Sequence, residues 1–111
     1  MLEFERSIQN QAVVIKLSGQ LTSLTLTQLQ QEADNLDQSE HIGLVFDVSS
    51  LLQVDSAGVG LLVSIYKKFQ GNQKSFKIAG LHGQPFDIFK LLNLHKVMEL
   101  SPSVEEAIEQ L

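Results

Sequence analysis

The feature that most constrains the fold is an alternation of two hydrophobic periods, in which short apolar runs of strand character precede longer segments with apolar residues at helical spacing. The densest run lies between Ile42 and Val48, where Ile42-Gly43-Leu44-Val45-Phe46 sits between polar segments. That pattern belongs to a strand buried on both faces, here the central one. Ahead of it, Phe4 to Ile8 and Ala12 to Leu17 have strand composition and are separated by Gln9-Asn10-Gln11, which predicts an antiparallel hairpin. Thr22 or Ser23 can cap a first helix that carries Leu26, Leu29, Ala33 and Leu36 and ends near Asp37.

A second helix is expected to start at Asp55-Ser56, because both residues suit an N-cap and the segment beyond places Val59, Leu62, Val63, Tyr66 and Phe69 along one face. Gly71-Asn72 closes it, and a strand ending at Ala79 follows, with Phe76 and Ile78 inside it. Pro85 suits the first turn of a third helix carrying Phe86, Phe89, Leu91 and Leu92. Val97 to Leu100 reads as a short edge strand. Ser103-Val104-Glu105-Glu106 fits a capping box ahead of a last helix over Ala107, Ile108 and Leu111.

The resulting order, β-β-α-β-α-β-α-β-α, defines an α/β fold: a mixed sheet of about five strands with about four helices packed on it. At 111 residues the chain has the size of one domain, taken as residues 1–111. Its 43% hydrophobic content is enough for a core without a disulfide or metal, and there is no Cys to supply either.

Composition excludes several classes of function. The net charge of -5, with Arg6 as the one arginine, argues against a nucleic-acid backbone binder. Lys67, Lys68, Lys74 and Lys77 form a local basic stretch that reads as a solvated helix end, offset by an acidic tail from Glu99 to Glu109. The first residues lack the cationic start and apolar core of a signal peptide, and no run approaches the ~20 apolar residues of a membrane helix. A cytoplasmic protein without membrane insertion is expected.

No catalytic or cofactor motif is complete. Gly58-Val59-Gly60 opens a helix after a strand, but Val63 stands at the third glycine position of a dinucleotide fingerprint, so the glycines read as close helix packing. His41, His82 and His95 are scattered, without metal-ligand spacing, and read as surface or loop residues. Ser56 lacks the nucleophile elbow, since Val54 occupies its first glycine position. The chain is therefore read as a non-enzyme with no cofactor and no metal.

What remains is the segment from Asp47 to Leu62. An apolar strand ends in an acidic residue, a short loop follows, and Ser56 then places a hydroxyl at a helix start where free N–H groups favour an anion. From the residues alone Ser56 is either a cap or a phosphate site.

The pattern Asp47-Val48-Ser49, loop, Asp55-Ser56-Ala57-Gly58-Val59-Gly60 and apolar helix resembles the signature of STAS domains in bacterial anti-sigma-factor antagonists. The resemblance extends to Ser18-Gly19-Gln20-Leu21, to Leu91-Leu92-Asn93-Leu94-His95-Lys96-Val97 and to Ser103-Val104-Glu105-Glu106-Ala107, and so covers nearly the whole chain. It implies the STAS fold and a partner-switching role. A protein that is both serine kinase and anti-sigma factor phosphorylates Ser56, a PP2C-like phosphatase reverses this, and the unmodified form binds the partner. The implied contact set is Thr22, Ser49, Ser50, Asp55, Ser56, Ala57 and Gly58, and a weak homodimer is compatible with the family. Thr22 departs from the acidic residue that members often carry after the Gly-x-Leu motif. Ala57 leaves no second hydroxyl beside Ser56.

A phosphate at a helix N-terminus is locally favourable, so its effect is expected at the interface and not on folding. The alternative reading is a constitutive STAS subunit or regulator of an ABC-type or anion transporter complex, with an enzyme or small-ligand sensor as a third class.

Overall fold

In the computed structural model, residues 1–36 and 41–111 are described. The strands are β1 (Leu2–Gln9), β2 (Ala12–Leu21), β3 (Gly43–Val54), β4 (Ser75–Ala79) and β5 (Glu99–Ser101). The helices are α1 (Leu26–Asp34), α2 (Ser56–Gly71), α3 (Gly83–Leu91) and α4 (Val104–Glu109), with a 3-10 turn at Leu94–Lys96. The sheet order is β1-β2-β3-β4-β5, with β1 antiparallel to β2 and every later pair parallel. This is the mixed sheet expected from the sequence, with β3 in the middle.

Local chemistry accounts for the elements. Asn10 and Gln11 form the two-residue hairpin loop, both with positive φ (51° and 70°), the backbone twist that lets strands close without splaying. Alternation along the strands splits the core in two. Val13, Ile15, Leu17, Leu44, Phe46, Phe76 and Ile78 meet Leu29 and Ala33 of α1, Val59, Leu62, Ile65 and Phe69 of α2, and Phe89 of α3. Val14, Val45 and Ala79 point the other way and meet Ala107 and Ile108 of α4, with Val104 and Leu111 packed against them. Among the described residues, three helices thus cover one face and a single short helix covers the other.

Several expectations are corrected. Helix α1 starts at Leu26 behind Thr25, not behind Thr22 or Ser23. It ends at Asp34, and Asp37 lies outside the described residues. In α3, Phe89 and Pro85 face the core while Leu91 and Leu92 are exposed, because the helix ends as its face turns to solvent. The edge strand is Glu99–Ser101, with Val97 left exposed in the approach to it. Lys77 is no solvated helix end. It lies buried in β4 with its ammonium paired to Glu99, its cross-strand neighbour on β5. His41 is buried rather than superficial, and its Nε2 has no hydrogen-bond partner.

Candidate functional site

The segment expected as a loop before Ser56 is strand. β3 continues through Ser49 and Ser50 to Val54, paired with β2 as far as Leu21. The polar serines concealed this, because β3 here departs from simple alternation. Lys16 pairs with Asp47 and Ser18 with Ser50, then Gly19 pairs with Leu51 and Gln20 with Gln53. Each step adds one residue to β3, so its 12 residues match the 10 of β2 through two bulges, the second at Leu52. Bulges bend a strand and re-aim its side chains. Leu52 points to solvent, 66% exposed.

Pairing with β4 stops at Asp47. Beyond it, side chains from the start of α3 take over the open edge of β3. The His82 ring N–H at Nε2 donates to the Ser49 carbonyl at 2.8 Å. Gln84 accepts from the Val54 N–H at 2.9 Å and donates to the Val54 carbonyl at 3.0 Å. Gln84 carries no pattern that marks it in the sequence, and His82 reads there only as a surface or loop histidine without metal-ligand spacing.

Asp55 is the N-cap of α2 and uses both carboxylate oxygens. Oδ1 accepts from the Gly58 N–H at 2.8 Å, and Oδ2 accepts from the Ser23 N–H at 3.0 Å, across 32 residues of sequence. These two donors, Gly58 first and Ser23 second, hold its carboxyl below the usual carboxylate range. The Asp55 N–H in turn donates to the Leu21 carbonyl at 3.2 Å. Gly58 is required for this closeness. A Cβ there would stand 2.4 Å from the Leu21 carbonyl oxygen and 2.7 Å from Val54 Cγ2, whereas Gly60 faces open space.

The turn from Thr22 to Thr25 is held from within. The Thr22 N–H donates to Thr25 Oγ1 at 2.9 Å, Thr25 Oγ1 donates to the Gln20 carbonyl at 2.9 Å, and Thr22 Oγ1 accepts from the Leu24 N–H at 3.2 Å. Thr22 is therefore a turn builder beside the site, and Leu24 projects from the turn with 93% of its surface exposed.

Ser56 is the first residue of α2 and is exposed, whereas Ala57 is half-buried and Gly58 buried. With Asp55 serving as cap, the Ser56 hydroxyl is not needed for that task. Ser49 is exposed too, but its hydroxyl donates to Asp47 Oδ1 at 2.7 Å, and its N–H donates to the same oxygen at 3.0 Å. Ser50 is half-buried. Asp55, Ser56, Thr22 and Leu24 are thus gathered at one end of the sheet, while Ser49 lies further back along β3 against His82. Among the described residues no cluster of His, Asp and Glu is placed to hold a metal ion, and no helix is long and apolar enough to cross a membrane.

A mixed five-stranded sheet with three helices on one face, a short helix on the other and an exposed serine at the start of α2 defines a small α/β domain of the STAS type. The chain belongs to the STAS-domain family, matching over residues 4–102 the family model described as "Mlab, STAS domain". It is 23% identical over 104 residues to the anti-sigma-B factor antagonist of Staphylococcus aureus (strain NCTC 8325 / PS 47), covering 94% of this chain and 96% of that protein. The fold matches the crystal structure of an anti-sigma factor antagonist from Mycobacterium paratuberculosis with a TM-score of 0.90, at 21% identity and covering 99% of this chain and 93% of that one. It also matches the Bacillus cell fate determinant SpoIIAA in its phosphorylated form, with a TM-score of 0.76, 21% identity and coverage of 97% and 98%.

Proposed function

We propose that this chain is a phosphorylation-controlled binding switch of the anti-sigma-factor antagonist kind, acting as one domain in the cytoplasm and without catalysis of its own. In its unmodified form it binds a partner that is both serine kinase and anti-sigma-type protein. Phosphorylation of Ser56 releases that partner, and a PP2C-like phosphatase restores binding. The observation that carries this reading is the division of labour at the start of α2, where Asp55 caps the helix and leaves Ser56 exposed. A phosphate there changes the surface and not the fold, because its roughly -1.5 to -2 charges meet a helix N-terminus that favours them. The same charge beside Asp55 is costly against a partner surface shaped for a neutral hydroxyl, by several kcal/mol. Since about 1.4 kcal/mol is tenfold in affinity, that cost is enough to dissolve a tight complex.

The test is incubation with ATP and the kinase-type partner, followed by mapping of the modified residue. Titrations of the unmodified, Ser56→Ala and Ser56→Asp proteins accompany it, with thermal melts as folding controls. Phosphate on Ser56, retained binding by the Ala variant and weakened binding by the Asp variant are expected, with little change in melting. Equal binding by all three forms and no phosphate on Ser56 would replace this reading with that of a constitutive transporter subunit.

A further inference from the structure

We propose that Leu24 is the principal apolar anchor through which this domain holds its partner, with Leu52 as a second contact. The proposal rests on the switch reading for the identity of that partner. Leu24 is 93% exposed and Leu52 66%. A single exposed leucine needs no explanation, but one of these two stands on a hydrogen-bonded turn and the other on a strand bulge.

Leu24 stands on a turn fixed by side-chain bonds from Thr22 and Thr25 and by the Ser23 N–H bond to Asp55 Oδ2. Leu52 is the extra residue of a bulge in β3, three positions before Asp55. A turn already fixed by its own hydrogen bonds loses little backbone freedom on binding, so more of the stabilisation from burying its leucine goes into affinity. Asp55 also joins the two features, since the carboxylate that caps the helix of Ser56 holds the turn of Leu24. The partner surface that reads Ser56 therefore meets Leu24 in a fixed position, and the matching chemistry is an apolar pocket beside the groups facing the Ser56 hydroxyl. A few well-buried anchors carry most of the energy in protein interfaces, and Leu24 is the most exposed large apolar side chain among the described residues.

The remaining exposed apolar residues make a control. Leu91 is 78% exposed but lies at the far end of α3, whose start contacts Val54.

The experiment titrates Leu24→Ala, Leu24→Met, Leu52→Ala, Leu91→Ala and Ser56→Asp proteins against the purified serine kinase that labels Ser56, with a melt of each. Leu24→Ala is expected to weaken binding about thirtyfold, the effect of an interface hot spot. Leu52→Ala is expected to weaken it about fivefold. Leu24→Met and Leu91→Ala should stay within about twofold of wild type, and melting should be unchanged throughout. Wild-type affinity in Leu24→Ala, with Ser56→Asp still weakened, overturns the anchor and leaves the switch standing. Loss in Leu24→Ala with wild-type binding by Ser56→Asp does the reverse. Equal losses in Leu24→Ala and Leu91→Ala also overturn the anchor, because binding would then follow exposed apolar surface in general.

Discussion

Gln84 takes the place of a neighbouring strand for Val54, accepting from its N–H at 2.9 Å and donating to its carbonyl at 3.0 Å. β4 has already ended at this level of β3, so without Gln84 both groups would need another partner at a half-buried position. Gln84→Ala is expected to cost about 1–3 kcal/mol, the sum of two ordinary hydrogen bonds. At about 4 °C per kcal/mol, melting should fall by roughly 4–12 °C. Hydrogen exchange should show the Val54 amide opening more readily than in wild type. Unchanged melting and exchange would mean that the amide pair is not a brace.

Asp55 makes the site sensitive to acid. Its carboxyl is held below its ordinary value in the folded state by the Gly58 and Ser23 N–H groups. Its contribution is therefore complete above the unfolded carboxylate pKa of about 3.9 and is lost as pH falls through the folded value. Asp55→Asn keeps one acceptor oxygen where two N–H groups require acceptors, so at neutral pH it should be less stable by about 1 kcal/mol. The gap between the two proteins should narrow below about pH 4, where the carboxyl of the unfolded chain protonates first and that of the folded protein follows at lower pH. Melts across this range check the sign, and a gap that widened in acid would contradict it.

What could be read from the chain, and what could not, follows the range of the forces involved. The start of α2 was legible because Asp55 caps it with a bond three residues away, and the hairpin because period-two alternation flanks Asn10-Gln11. The sequence puts the cap of α1 at Thr22 or Ser23, but the Ser23 N–H is engaged by Asp55, a tertiary partner, and the helix begins behind Thr25. Ser49 to Val54 read as loop because bulges break the alternation that marks a strand. Lys77 read as solvated because its burial depends on Glu99 from the next strand. Of the candidate site, Asp55 and Ser56 were visible, while Leu24, His82 and Gln84 acquire their roles only from the elements they stand beside.

The two glycines of Gly58-Val59-Gly60 should respond in opposite directions. Gly58→Ala drives a methyl into the Leu21 carbonyl and the Val54 side chain. The cost of such overpacking is about 1–3 kcal/mol. A methyl added at Gly60 would meet no heavy atom within 4 Å, so Gly60→Ala gains helix propensity of about 1 kcal/mol without a clash. Melting temperatures of the two single variants test this, and a loss of stability in Gly60→Ala would show contacts that the open space around it does not account for.

The spatial order of the strands is the order in which the ribosome delivers them. Each strand after the first docks beside the one synthesised just before it, so no gap has to be held open for a later arrival. The three supports of Ser56 therefore emerge in succession: the Thr22–Thr25 turn, then the cap of α2, and last Gln84 from α3. A chain still growing past residue 71 already carries the serine and the leucine turn, but the end of β3 beneath them stays unsecured until α3 emerges. Newly made molecules thus acquire the fully supported surface only once α3 has been made and its Gln84 can reach Val54.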